Sequence, residues 1–315
     1  MIDVQIGELR VAPGSKLAGV QKLQVANQEV EMVLFVINGT EDGPTLVVTA
    51  GIHGAEYASI EAALQLGRSL IPERLHGRVI VAPVANMPAF RARVISVCPL
   101  DGKNLNHLFP GKADGTASEQ LVNWLFQNVI LQADYYVDLH GGDLVEVLIP
   151  FTALHRSGNE AVDKKSLELA EVFGIEDVAW NDALGGTYAA AAEAGIPALL
   201  AESGGHGLWP REAVEVLTQG LDRLMRHLGM REGPRPDPVP TVSTTFLWLR
   251  SEHTGFYYPQ VEVGQVVGEG EELGAVTDFR GNVLGSVLSP AEGRVLFLVT
   301  SLAINKGDSL LGLGV

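Results

Sequence analysis

The feature that most constrains this chain is an alternation of two kinds of segment. Short apolar runs rich in β-branched residues are separated by longer stretches whose apolar residues recur at helical spacing. Residues 32–37 (MVLFVI), 45–50 (TLVVTA) and 78–83 (RVIVAP) are the first such runs, punctuated by Gly, Pro or Asn. They read as strands buried on both faces. Between the second and third, residues 57–70 (YASIEAALQLGRSL) repeat Ile60, Ala63, Leu64 and Leu70 with the period of a crossover helix. Residues 135–139 (YYVDL) and 198–201 (ALLA) continue the strand series. Residues 119–131, 163–173 and 211–228 continue the helices, the last opening after Pro210. The expected fold is α/β, with a mainly parallel mixed sheet flanked by helices.

The pattern changes near Gly229. Residues 231–240 (REGPRPDPVP) contain four prolines and read as a linker. Beyond them, short glycine-punctuated runs at 244–249, 261–267, 273–277, 294–299 and 310–313 indicate a small all-β barrel or sandwich. The expected organisation is a domain over 1–230, a linker over 231–240 and a β-rich module over 241–315. A chain of 315 residues suits one large core plus a smaller one.

Charge narrows the partners. With 22 basic and 38 acidic residues the net charge is −16, which disfavours nonspecific nucleic-acid binding and adhesion to an acidic membrane surface. A local arginine cluster can still admit an acidic substrate. The longest apolar stretch, 45–52, is far too short to span a bilayer. Cys98 is the single cysteine, so no internal disulfide forms, and the first residues show no apolar leader core. The expectation is a soluble cytoplasmic protein, with enough apolar content to leave room for a homo-oligomer interface.

Three strand ends carry the chemistry. Gly51-Ile-His53-Gly-Ala-Glu56 lies where a strand gives way to a helix, and ligands in open α/β sheets bind at the carboxyl ends of strands. A His and a carboxylate three residues apart on such a turn can converge on one metal ion; alone, the pair also fits a helix-capping Glu beside an incidental His. Asp138-Leu-His140-Gly-Gly-Asp143 also follows an apolar strand, so His140 emerges on the same rim. Two His and one Glu form a catalytic type of zinc set, with the fourth position open to water. Glu202 closes the run PALLAE, and a carboxylate ending an apolar strand is costly unless it faces a polar site. There it can act as general base and then as proton donor to a leaving amine. Between these motifs, residues 86–111 form a polar loop suited to binding substrate. Arg93 and Arg91 are its available cations for an oxyanion or carboxylate, and Asn106 is a candidate substrate contact.

GIHGAE, DGKNLNHLFPG, DLHGG and PALLAESGG, in that order, resemble the succinylglutamate desuccinylase/aspartoacylase family of carboxypeptidase-A-like zinc hydrolases. The resemblance spans the whole chain. It implies one zinc held by His53, Glu56 and His140, with Glu202 as catalytic carboxylate, and hydrolysis of a small N-acyl amino acid or related amide. Where the family has Asn-Arg, with the Arg clamping a substrate carboxylate, this chain has Asn106-His107. A His does not reproduce a bidentate guanidinium clamp. The family's oxyanion Arg falls in this loop at a variable distance, with Arg93 the first choice and Arg91 the second. Asn104 stands where related carboxypeptidases have an Asp supporting a zinc-bound His, and an amide oxygen can still accept that bond. The C-terminal module resembles lipoyl/biotinyl-like barrels. Its comparable turn, Asp278-Phe-Arg280-Gly281, lacks the lysine a carrier needs, so the module is expected to flank the site. Tyr257 and Tyr258 are the residues that could reach substrate from it.

Three other readings compete. One is a zinc carboxypeptidase acting on small peptides. Another is a serine hydrolase built on Ala201-Glu-Ser203-Gly-Gly205, with Asp222 and His227 or His253 completing a triad; Gly204-Gly-His-Gly207 breaks the helix that such an elbow requires. The third is a zinc-binding homologue impaired in catalysis by the change at His107. His76, His155, His206, His227 and His253 lack partners at ligand spacing and read as surface or helix-end residues.

Overall fold

A computed structural model describes residues 2–315. The chain opens with β1 (Val4–Ile6) and β2 (Leu9–Val11), then a long hairpin of β3 (Ser15–Val25) and β4 (Gln28–Asn38). Ala26 and Asn27 at its tip both have positive φ, the two-residue turn whose twist suits a hairpin. There follow β5 (Glu41–Ala50), α1 (Tyr57–Ser69), β6 (His76–Ala82), α2 (Met87–Ala92), α3 (Ala117–Asn128) and β7 (Tyr135–His140). Next come β8 (Glu146–Leu148), β9 (Phe151–Leu154), α4 (Glu160–Phe173), β10 (Asp177–Trp180), α5 (Thr187–Glu193), β11 (Ala198–Glu202) and α6 (Arg211–His227).

The main sheet runs β3-β4-β6-β5-β7-β11-β9-β10, and β6, β5, β7 and β11 are mutually parallel at its centre. β3, β4 and β9 add antiparallel pairings, so the fold is mixed α/β. Val47, Ile80 and Leu200 pack on one face with α3 and α5; Val48, Val79 and Leu199 pack on the other with α1, α4 and α6. This double coverage is why the central strands read as unbroken apolar runs. Helix limits follow local chemistry. α3 starts in a capping box of Thr116 and Glu119, and α4 ends at Gly174 in the left-handed conformation. Among the described residues no helix is long and apolar enough to cross a membrane.

After Pro240 the chain is all β: β12 (Val242–Arg250), β13 (Gly255–Pro259), β14 (Val266–Val267), β15 (Glu272–Thr277), β16 (Val283–Leu288), β17 (Gly293–Val299), β18 (Ala303–Ile304) and β19 (Ser309–Gly314). β16-β15-β13-β18 form a separate sheet. β12 does not stand apart from the main one: residues 242–245 run parallel to β10, and residues 246–250 pair with β19. β8 extends the contact by pairing with β17. The strand expected over 261–267 is limited to Val266–Val267, and residues 255–259 supply a strand that the apolar pattern did not mark. The interruption by Gly255 and Pro259 hid it.

Candidate active site

β5, β7 and β11 are adjacent and parallel, so their carboxyl ends open on one edge of the sheet. Beyond Ala50 the chain turns at Gly51, whose φ of +64° favours glycine. Asn86 fixes the turn: its backbone N–H donates to Gly51 O at 2.9 Å and its side chain to Ile52 O at 3.1 Å. At Gly54 a Cβ would stand 2.2 Å from Phe90 N, so α2 rests directly on the backbone between His53 and Glu56. These constraints aim both side chains over the strand ends.

Glu56 receives the two imidazoles on its two oxygens. His53 Nδ1 is 2.6 Å from Oε1, and His140 Nδ1 is 3.0 Å from Oε2. The ligand atoms of His53, Glu56 and His140 all lie within 4.8 Å of one another. Each ring is held from behind through Nε2. His140 Nε2 donates to Asp138 Oδ2 at 2.8 Å, since a carboxylate can only accept. His53 Nε2 lies 3.1 Å from Asn104 Oδ1, which also receives the Asn106 N–H at 2.8 Å. That second donor identifies the atom as oxygen and Nε2 as protonated. Nδ1 of each ring is therefore turned toward Glu56, and it is the nitrogen that a metal ion would take once its proton is lost. Two imidazole nitrogens and a carboxylate, pre-aimed and supported in this way, fit a metal ion.

Asp138 is itself fully buried and takes the Thr49 hydroxyl at 2.6 Å on Oδ1 and the Thr187 hydroxyl on Oδ2. Because Thr49 spends its one proton there, the Tyr136 phenol, 2.6 Å away, donates to Thr49.

Burial would raise Glu56, but His140 and His53 outweigh it and bring its carboxyl down to about 2. Burial would lower His140, but Glu56 and Asp138 hold it well above the ordinary imidazole range. Glu202, in register with His140 on β11, is pushed up to about 8 by burial and by the charges of Glu56 and Glu146, against the pull of His140 and His53. Its Oε2 is buried without a hydrogen-bond partner.

The other sequence candidates occupy varied positions. Arg93 is exposed at the end of α2 with φ of +55°, and Arg91 is ion-paired with Glu31 at 2.6 Å. Asn106 accepts the Thr187 N–H at 3.2 Å. His107 is exposed, and partial desolvation, with the charges of His53 and Arg250, lowers its pKa. Tyr258 is exposed on β13, whereas Tyr257 is buried with an unpartnered hydroxyl. The serine triad does not assemble: Ser203 Oγ has no partner, His227 is bonded to Glu168 at 2.7 Å, and Asp222 holds Arg226 and Arg231. Sequence reasoning gave no role to Asp138, Thr187 or Glu146. Asp138 carried a signal, standing two residues before His140 and so on the same strand face. Glu146, raised to about 7 by burial and the nearby acids, gave none beyond its charge.

Fold and site together define a mixed α/β protein with a candidate metal centre at the carboxyl edge of its sheet, beside a carboxylate of raised pKa. The chain belongs to the succinylglutamate desuccinylase/aspartoacylase family, whose catalytic-domain model matches residues 42–228. It is 29% identical over 306 residues to the N-alpha-acetyl-L-2,4-diaminobutyric acid deacetylase of Halomonas elongata, covering 93% of this chain and 89% of that one. A product-bound structure of the ectoine utilization protein EutE (DoeB) from Ruegeria pomeroyi is similar at a TM-score of 0.87 and 26% identity, covering 98% of both chains. The succinylglutamate desuccinylase/aspartoacylase of Rhodobacter sphaeroides is similar at 0.83 and 27%, covering 95% of this chain and 94% of that one. The family resemblance read from the four motifs is thereby established.

Proposed function

We propose that this chain is a zinc-dependent, carboxypeptidase-like deacylase that hydrolyses the amide bond of a small N-acyl amino acid. The observation that carries the reading is the convergence of His53 Nδ1, His140 Nδ1 and the Glu56 carboxylate beside Glu202. The named deacetylase among its relatives supports an N-acyl substrate. One zinc per chain would be held by His53, Glu56 and His140. When bound, it supplies Lewis-acid polarisation of the acyl carbonyl and lowers the pKa of water.

Glu202 performs the proton transfers. Ionised, it takes a proton from the attacking water as the new C–O bond forms; it then gives that proton to nitrogen as the C–N bond breaks. The products are a carboxylate and a free amine. Arg93, without an ion-pair partner among the described residues, is placed first for the oxyanion, ahead of the Glu31-bound Arg91. Asn106, His107 and Tyr258 are assigned to substrate binding. We further assign residues 1–230 to catalysis, 231–240 to a linker and 241–315 to a lipoyl/biotinyl-like module flanking the site. The location is taken as cytoplasmic, and a homo-oligomer is compatible with the apolar surface.

The test is release of free amine from a panel of N-acyl amino acids, by wild type and by Glu202→Gln, each loaded with zinc. Turnover by the wild type alone supports the assignment. Equal turnover by both rejects Glu202.

A further inference from the structure

The two imidazoles of the candidate metal centre come from the turn after β5 and the end of β7, yet the groups behind them are tied together at one residue. On one side, the Thr187 N–H donates to Asn106 Oδ1 at 3.2 Å, the Asn106 N–H donates to Asn104 Oδ1 at 2.8 Å, and His53 Nε2 donates to that same oxygen at 3.1 Å. On the other side, the Thr187 hydroxyl donates to Asp138 Oδ2, which accepts from His140 Nε2 at 2.8 Å. Glu56 closes the ring at 2.6 Å and 3.0 Å from the two Nδ1 atoms. Thr187 is fully buried at the start of α5, and Gly185, two residues before it, packs against the His107 backbone, where a Cβ would come within 2.6 Å of the carbonyl oxygen. The loop behind His53 is thus pinned to the same helix start that holds Asp138.

We propose that Thr187 is a positioning residue for the metal centre: its hydroxyl orients Asp138 toward His140 while its N–H orients the Asn106–Asn104 loop toward His53. This rests on the reading of His53, Glu56 and His140 as the ligand set. Outer partners of metal-bound histidines set ring orientation and tautomer, and losing one costs about 10- to 100-fold in metal affinity. A residue serving both rings at once makes the two ligands one preorganised unit.

The experiment measures zinc affinity by chelator competition, and the thermal midpoint of the zinc-free protein, for wild type, Thr187→Val and Thr187→Ser. Valine keeps the volume and the N–H but deletes the hydroxyl, and serine restores it. The expected result is a loss of zinc affinity of about 10- to 100-fold in Thr187→Val. Thr187→Ser is expected near wild type, with zinc-free midpoints that do not follow this order. The proposal is overturned if both variants bind zinc like wild type, or if both lose it equally, which marks a packing role. A wild type that binds no zinc overturns the ligand reading itself, and so separates the two failures.

Discussion

His140 donates its Nε2 proton to the buried carboxylate of Asp138 across 2.8 Å, which leaves Nδ1 as the nitrogen that faces Glu56. Asp138 thereby decides which nitrogen of His140 is offered to the candidate metal centre. Replacing it with Asn removes the negative charge and sets an NH2 group against either the Thr49 hydroxyl or the His140 and Thr187 donors. Zinc affinity is expected to fall about 10- to 100-fold. Chelator competition on purified Asp138→Asn checks this, and unchanged affinity would show that Asp138 does not set the tautomer.

Metal binding should be driven by pH. Glu56 and Asp138 keep His140 protonated to well above the usual imidazole range, and a metal takes only the neutral ring. The metal must displace that proton, so affinity rises as pH rises toward the raised pKa and falls on acidification. Zinc titrations between about pH 6 and 8 are expected to show tighter binding at the alkaline end, with protons released to the buffer.

Glu202 predicts a second pH effect, on turnover. Its pKa is pushed up to about 8, and only the ionised form accepts a proton from water. Activity therefore rises with pH through its titration, and a bound dication shifts this limb below that value. Glu202→Gln is expected to lose about 100- to 10,000-fold in kcat while retaining zinc. Wild-type-like turnover in that variant would remove Glu202 from the proton path.

If His107 binds substrate as proposed, it governs the charge that the site accepts. Partial desolvation and the charges of His53 and Arg250 lower its pKa, so the ring is neutral near pH 7. His107→Arg is expected to raise kcat/KM for an N-acyl amino acid with an acidic side chain, relative to a neutral one, by about tenfold, the effect of a charge-assisted bond. Measuring both substrates on both proteins checks this, and an unchanged ratio would put His107 outside the binding pocket.

Much of this site was legible because its candidate ligands stand at strand ends that the apolar runs mark. His53 and Glu56 share one turn, and His140 ends a strand whose neighbours on both sides are parallel, so strand alternation alone put them on one rim. The central strands were legible because they are covered on both faces and so read as unbroken apolar runs. β3 was harder, since alternating exposure along residues 15–25 breaks up its apolar pattern. Thr187 was out of reach. It meets Asp138 across 49 residues, through a pairing that only the packed sheet creates. The sheet continuity through β12 was hidden too, because a proline-rich segment precedes a strand that pairs on both sides.

The central claim is tested most directly by the metal content of the purified protein beside Glu56→Ala, with amide hydrolysis assayed on both. Glu56 touches both imidazoles, so its loss should empty the centre. One zinc per wild-type chain, lost in the variant together with hydrolysis of N-acyl amino acids, is the expected result. Hydrolysis that survives both Glu56→Ala and a chelator would contradict it.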